Sequence, residues 1–288
     1  MSPARFVVVT GASSGIGFAC AQRLDQAGFR VFGGVRREAD GDRLRAATGG
    51  RAVPLRLDIT DADQIAAAAR TVDDVCGEAG LAGLVNNAGI AIAGPLECLP
   101  IDDLRRQLEV NVIGQVAVTQ ALLPALRRGR GRIVNMGSIA GRFSAPFLGP
   151  YSASKFALEA ITDALRLELR PWGLAVVIVE PGDVATPIWE KGQQYGRELE
   201  ARLPEAVGRY EPFAARVRRY AAARGRSGAP PDLVARVVLR ALTARRPRPR
   251  YLVGRDAQVR AILARWLPDR ARDWLVARLL GLRPAAGV

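Results

Sequence analysis

Arg5-Phe-Val-Val-Val-Thr-Gly-Ala-Ser-Ser-Gly-Ile-Gly17 decides the fold. Phe6–Val9 is a short apolar, β-branched run, and Phe18 to about Ala27 carries helical spacing, so the glycines fall in a strand-to-helix turn. Gly11 and Gly15 permit a tight turn and close backbone approach, and Gly17 permits close helix packing. The helix start offers unpaired N–H groups to a pyrophosphate. The turn residues Gly11, Ser13, Ser14, Gly15, Ile16 and Gly17 form the candidate nucleotide cradle. The spacing is G-x-x-x-G-x-G, and its place at the chain start, strand then turn then helix, gives it meaning.

Outward from this turn, strand-like runs recur at Val31–Val35, Ala52–Leu57, Gly83–Val85, Arg132–Asn135, Ala175–Val179 and Tyr251–Val253, with helical patterns between them. The run Val176–Val179 shows no alternation, as a strand buried on both faces requires. Seven strands separated by helices predict an α/β fold: one doubly wound Rossmann domain with a seven-stranded parallel sheet. Asp61 opens a helix to about Gly77, Asp102 opens one through Leu126 that Pro124 bends, and a third runs from about Ser152 to Arg170. Residues 186–230 are rich in glycine and charge with only short helical patterns. They are expected to form a substrate lid inserted between the sixth and seventh strands. The division is thus a catalytic domain over 1–255 containing that lid, and a basic helical tail over 256–288.

At the end of the second strand an acidic residue would hold an NAD ribose; the chain reads Val35-Arg36-Arg37 instead. A guanidinium at Arg36 suits a 2′-phosphate, so NADP(H) is the preferred cofactor. NAD(H) remains the alternative, through Glu38 or Asp40, and both arginines could be solvated surface residues.

The 288 residues contain no histidine, which excludes a histidine-based triad and a histidine-ligated metal; no metal site is expected. Cys20, Cys76 and Cys98 are scattered, with no C-x-x-C pair, and read as ordinary thiols of a reducing compartment. No apolar run is long enough to span a membrane, so a cytoplasmic location is the default expectation. The net charge of +14 is lopsided: residues 1–190 balance, and the whole excess lies in residues 191–288.

Four blocks in this order, Thr10–Gly17, Asn86-Asn-Ala-Gly89, Ser138 and Tyr151-Ser-Ala-Ser-Lys155, together with Asn111 and Pro181-Gly-Asp-Val-Ala-Thr186, resemble the short-chain dehydrogenase/reductase family over residues 5–255. The second strand and the long tail look most like its steroid and retinol dehydrogenase branch. The resemblance implies a hydride-transferring oxidoreductase that interconverts an alcohol and a ketone or aldehyde. It assigns catalytic roles to Asn111, Ser138, Tyr151 and Lys155: Tyr151 as general acid and base, Ser138 polarising the substrate oxygen, Lys155 also binding the nicotinamide ribose, and Asn111 supporting a relay water. Tyr151 and Lys155 lie four residues apart at a helix start and so share a face. A neighbouring ammonium lowers a phenol's pKa towards usefulness near neutrality. The chain has only two lysines, 155 and 191, among 42 basic residues, so a lysine at 155 stands out. The same resemblance gives Asn87, Ala88 and Gly89 to the adenosine side of the cofactor, Pro181, Gly182, Val184 and Thr186 to the nicotinamide side, and Asp58 to the adenine amine. Asp58 reads equally as an end-of-strand turn residue.

The branch implies a small lipophilic alcohol or ketone as substrate, and the family implies a homodimer or homotetramer through helices around 102–127 and 151–170. In the tail, Val259, Ile262, Leu263 and Trp266 fall at helical spacing, Trp274, Leu275, Leu279 and Leu280 continue the apolar set, and arginines 260, 265, 270, 272, 278 and 283 fill much of the rest. Such a helix either lies on a membrane surface as a peripheral contact or packs on its own domain or a partner subunit. Nucleic-acid binding is not expected, since no reader motif or aromatic interleaving accompanies the charge. Two other functions fit the same residues: a β-ketoacyl-thioester reductase and a non-catalytic NADP(H)-sensing protein.

Overall fold

The computed structural model describes residues 5–211 and 213–282. The strands β1 (Arg5–Val9), β2 (Phe29–Val35), β3 (Val53–Arg56), β4 (Leu81–Asn86), β5 (Arg132–Met136), β6 (Ala175–Pro181) and β7 (Arg250–Val253) form one sheet of order β3-β2-β1-β4-β5-β6-β7. Every pairing is parallel. The order reverses between β1 and β4, which opens a crevice at the strands' carboxyl ends, the place where open α/β sheets bind ligands. β1 and β6 are buried nearly throughout, which accounts for their unbroken apolar runs.

The helices alternate with the strands: α1 (Gly15–Gln26), α2 (Glu38–Ala47), α3 (Ala62–Cys76), α4 (Ile101–Leu108), α5 (Gly114–Arg128), α6 (Gly149–Glu168), α7 (Ile188–Arg202), α8 (Pro204–Gly208), α9 (Phe213–Ser227), α10 (Pro231–Thr243), α11 (Arg255–Trp266) and α12 (Asp269–Leu280). Asp61 caps α3, its carboxylate accepting from the N–H groups of Asp63 and Gln64. One face of the sheet packs on α1 and α10 around Leu24, Val31, Val134 and Val238. The other packs on α3 and α5 around Phe32, Val72, Leu84, Leu122 and Ile133. All three cysteines are free and buried.

Three expectations need correction. The helix predicted over 102–126 is two helices joined by a π-helical turn, Glu109–Ile113; the interruption lies there, and Pro124 sits inside α5. A π turn adds one residue to the helical ladder and re-aims side chains, which periodicity does not reveal. Residues 186–230 are far more helical than their composition suggests, with α7 and α9 of fifteen residues each. Gly192 and Gly196 lie within α7 on the side facing Ala91 and Ala93, and Leu199 seals against Ile92 and Leu99. In the tail, α11 buries Ala257 and Ala261, whereas Val259, Ile262 and Trp266 are exposed. The apolar set identified by spacing is thus divided: Leu263, Leu275 and Leu280 are half-buried, and the others face outward. Arg283 and the rest of 283–288 lie outside the described residues.

Candidate functional site

The turn after β1 is built on close contacts. Gly11 has φ +64, and a Cβ there would meet the Ala88 Cα at 2.8 Å. The Asn87 side-chain amide donates to the Thr10 carbonyl at 3.0 Å and to that of Gly11, while the Thr10 hydroxyl accepts the N–H groups of Asn87 and Ala88 at 2.9 and 3.0 Å. The Asn87-Ala-Gly89 segment after β4 is thus sewn to the glycine turn. At the start of α1, Ser14 is the N-cap and makes no side-chain capping bond, so the first-turn N–H groups face the crevice.

A cavity of about 1010 Å³ runs along the carboxyl end of the sheet. Gly11, Ser13, Ser14, Gly15 and Ile16 line it together with Arg36, Asp58, Asn87, Ala88 and Gly89, and so do Ser138, Tyr151, Lys155, Pro181, Gly182, Val184 and Thr186, the last packed beside Gly15. Of the residues singled out by sequence, Gly17 and Asn111 are outside the cavity wall. Gly17 packs under the turn against Gly11 and Asn87. Asn111, wholly buried in the π turn, accepts the Ile90 N–H at 2.9 Å and donates to the Ile90 carbonyl and the Ser154 hydroxyl, both at 3.0 Å. Its amide is committed to positioning, and Ser154 in turn donates to the Tyr151 carbonyl at 2.6 Å.

Tyr151 and Lys155 share a face of α6, with the Lys155 Nζ 5.7 Å from the Tyr151 ring centre. The ammonium donates to the Met136 carbonyl at 2.8 Å, which fixes it beside the end of β5, two residues before Ser138. Burial depresses Lys155 to about 8, against the opposing pull of Glu159. For Tyr151 the expected lowering is reversed: burial pushes the phenol up, and the hydrogen bond with Ser138 draws it back only in part. Lys155 points at the Met136 carbonyl, and desolvation of the phenolate outweighs its help.

Just after β2, Arg36 is mostly exposed and lies 3.9 Å from the Asp58 carboxylate, whose other oxygen accepts from the Thr60 N–H and hydroxyl at 3.1 and 2.8 Å. Asp40 is held by Arg37 at 2.8 Å and Arg43 at 3.0 Å, and the Arg37 hydrogen bond keeps its carboxyl below the usual range. The alternative in which Asp40 turns to a ribose would break both pairs. Neither Arg37, Glu38 nor Asp40 lines the cavity; Arg36 does.

Several residues of the site escaped sequence reasoning. Arg43 reaches from α2 to the Ser13 carbonyl, at the glycine turn. Gln107, wholly buried, accepts the Ile92 N–H at 2.7 Å and donates to the Ile90 carbonyl, holding the loop that forms the cavity floor. Asp103 holds α7, accepting from Tyr195 at 2.6 Å and pairing with Arg202 at 3.2 Å. Arg260 from the tail lines the cavity and pairs with Asp183 at 2.8 Å. None carries a local signal; each meets its partner through the tertiary fold.

Residues 5–195 match the family described as short chain dehydrogenase. Retinol dehydrogenase 5 of Mus musculus is 40% identical over 290 residues, covering 98% of this chain and 91% of that protein. The NADPH-dependent 3-dehydrocapnine reductase of Ornithobacterium rhinotracheale is 37% identical over 282 residues, covering 93% and 95%. Among solved structures, a short-chain dehydrogenase from Burkholderia cenocepacia in complex with NADP superposes with a TM-score of 0.71 at 29% identity, covering 98% of both chains. Sheet order, site geometry and these likenesses agree: the chain belongs to the short-chain dehydrogenase family, in its retinol- and steroid-dehydrogenase-like branch, and is an oxidoreductase acting on CH–OH groups.

Proposed function

We propose that this protein interconverts a small lipophilic alcohol and its ketone or aldehyde with NADP(H), and that Tyr151 carries the proton. One observation bears most of the weight: Ser138, Tyr151 and Lys155 line the same cavity as the glycine turn. The cradle fits a dinucleotide. A side chain at Gly11 would fill the space between the turn and Ala88, and the start of α1 presents N–H groups where a pyrophosphate would lie. Arg36, in the wall next to Asp58, suits a 2′-phosphate, and NAD(H) is the weaker alternative. The NADP of the Burkholderia cenocepacia protein and the NADPH dependence of the dehydrocapnine reductase favour the same choice.

The cofactor, when bound, supplies the hydride to the carbonyl carbon. Ser138 hydrogen-bonds the carbonyl oxygen and orients it. The Tyr151 hydroxyl delivers the proton that oxygen needs, and accepts it back in the oxidative direction. Lys155, cationic below about pH 8, stabilises the phenolate left behind and holds the nicotinamide ribose. Asn111 keeps Ser154, and through it the start of α6, in place. Asn87, Ala88, Gly89, Pro181, Gly182, Val184 and Thr186 shape the groove around the cofactor.

The division into a catalytic body (1–255), a lid (186–230) and a tail (256–288) belongs to this proposal. Apolar residues of the lid, including Ile188, Trp189, Leu199 and Val217, line the cavity and suit a lipophilic substrate. Exposed Ile101, Ile113 and Phe156 on α4, the π turn and α6 are the faces through which a homodimer or homotetramer would form. The tail helices expose Ile262, Trp266, Trp274 and Leu279 among arginines, and Leu280 reaches the cavity wall. That face favours a peripheral contact with an anionic membrane beside the cavity. Among the described residues no helix is long and apolar enough to cross a membrane.

NADPH absorbance at 340 nm with a panel of lipophilic ketones and aldehydes tests the assignment. Turnover is expected; tight NADPH binding with none would favour a sensing protein, and preference for β-ketoacyl thioesters would favour that reductase.

A further inference from the structure

One cluster of buried charge is not used by the chemistry above. Along α6, Tyr151, Lys155, Glu159 and Asp163 recur at every fourth residue and so lie along one face. Glu180 is the penultimate residue of β6, before Pro181 and Gly182, and its side chain is 0% exposed. Arg142, four residues after Ser138, donates to the Glu180 carboxylate at 3.0 and 2.9 Å. Arg250, the first residue of β7, pairs with Glu159 at 3.2 Å and Asp163 at 2.6 Å, and approaches Glu180 to 3.7 Å. Asp163 also takes Arg166 at 2.6 Å. The cluster thus ties the segment carrying Ser138, the helix carrying Tyr151 and Lys155, and the strand leading to the nicotinamide side.

Arg250 approaches both glutamates, at 3.2 Å for Glu159 and 3.7 Å for Glu180, so the two carboxyls are neighbours in the cluster. Each also has a buried oxygen, Glu159 Oε1 and Glu180 Oε2, with no donor among the described residues. Three arginines face the three carboxylates, yet neither buried oxygen receives an N–H, and one proton held by the glutamate pair supplies the missing donor. Arg142 and Arg250 both approach Glu180, and Arg142 binds it with two N–H groups, so Glu180 is the better-supplied carboxyl of the two. Glu159 is left to take the proton, and its carboxyl is pushed up to about 8 by burial and by Glu180.

We propose that Glu159 is a positioning residue for proton transfer: through its shared proton with Glu180 it sets the charge on Lys155, one helical turn away, and thereby the readiness of Tyr151. When Glu159 ionises, its anion lies on the Lys155 side of the cluster and favours the ammonium. While it holds the proton, Lys155 lacks that support. The groups facing Glu159 are Lys155 and Asp163 on its own helix, Glu180 on β6 and Arg250 on β7, with Arg142 acting through Glu180. The proposal rests on the assignment of Tyr151 and Lys155 given above.

The scarcity of lysine makes a direct test practical. In full-length protein labelled with ε-¹³C-lysine, and without added nucleotide, only Lys155 and Lys191 give side-chain signals, and Lys191→Arg assigns them. The Lys155 midpoint, near 8 in the parent, is expected to fall by about half a unit or more in Glu159→Gln, which mimics the permanently protonated carboxyl. It is expected to rise in Glu180→Gln, where Glu159 loses its rival and ionises more readily. Arg250→Gln, which weakens the ionised form of Glu159, should lower it and supplies a third arm should Glu180→Gln fail to fold. A structural role alone would move all the variants in one direction or none, and either result overturns the proposal. Should the midpoints shift as described while the alkaline limb of carbonyl reduction stays fixed, the coupling stands and the assignment of Lys155 to catalysis falls.

Discussion

The Asp256 carboxylate accepts the backbone N–H of Asp183 at 2.8 Å, fastening the first turn of α11 to the segment that follows β6. The Asp183 side chain pairs with Arg260 one turn further along, so the tail helix is built into the wall of the crevice. Asp256→Ala should free the Pro181–Thr186 segment. We expect kcat/KM to fall by about tenfold to a hundredfold, since a lost hydrogen bond to a charged group together with an unpaired N–H costs about 1.5–3 kcal/mol. Steady-state kinetics with NADPH checks this; unchanged values would mean that the segment holds its shape without α11. Removing the tail at residue 256 would take this bond away too, so point variants are the sounder probes of what the tail does.

Tyr151→Phe keeps the ring and removes the transferable proton. Turnover should drop by at least about 10³-fold while NADPH affinity, measured by fluorescence, changes by less than about threefold. In the parent enzyme, the rate of carbonyl reduction should decline as pH rises through about 8. The sign follows from Lys155: its folded value is depressed, so the ammonium that supports the phenolate is present below that pH and lost above it. A flat profile from pH 7 to 9.5 would contradict this.

Arg36→Asp replaces a cation lining the adenosine end with an anion. NADPH binding should weaken about 100-fold or more, with NADH binding unchanged or improved, because only NADPH carries the 2′-phosphate. Calorimetric titration with both nucleotides reads the difference, and equal losses would remove the 2′-phosphate role.

For the tail, the double variant Trp266→Ala/Trp274→Ala removes two exposed aromatic side chains, 73% and 62% accessible, without disturbing Asp256 or Arg260. In flotation with vesicles containing anionic lipid, the parent should rise with the lipid and the variant remain below; neutral vesicles should recruit neither. Equal distribution of both proteins would dispose of the membrane contact.

β1 and β6 are legible in the sequence because parallel strands covered on both faces are continuous apolar runs, and Val7–Val9 and Val176–Val179 are such runs; the shorter β3 and β7 are legible from β-branched and aromatic residues between turns. The glycine turn, Ser138, Tyr151 and Lys155 were legible because order and spacing along the chain carry them. What stayed hidden depends on partners distant in sequence. Gln107, Asp103 and Glu180 look like ordinary polar residues until the fold sets them against Ile92, Tyr195 and Arg142. The π turn around Asn111 hid for another reason: one extra residue shifts helical phase without altering composition. Spacing also identified the tail's apolar residues while leaving open which way they face, since small alanines can do the burying.

The position of β1 has a consequence for how the molecule is made. It lies inside the sheet, between β2 and a fourth strand that leaves the ribosome some seventy residues later, and the edge beyond β4 is completed only by β7 near residue 250. Until those pieces emerge, the greasy N-terminal ribbon has one open flank, and parallel pairings across long loops close slowly. A nascent chain of this design therefore depends on being shielded during translation, and its yield in a foreign host should respond to chaperone supply and growth temperature more than to any single substitution in the catalytic crevice.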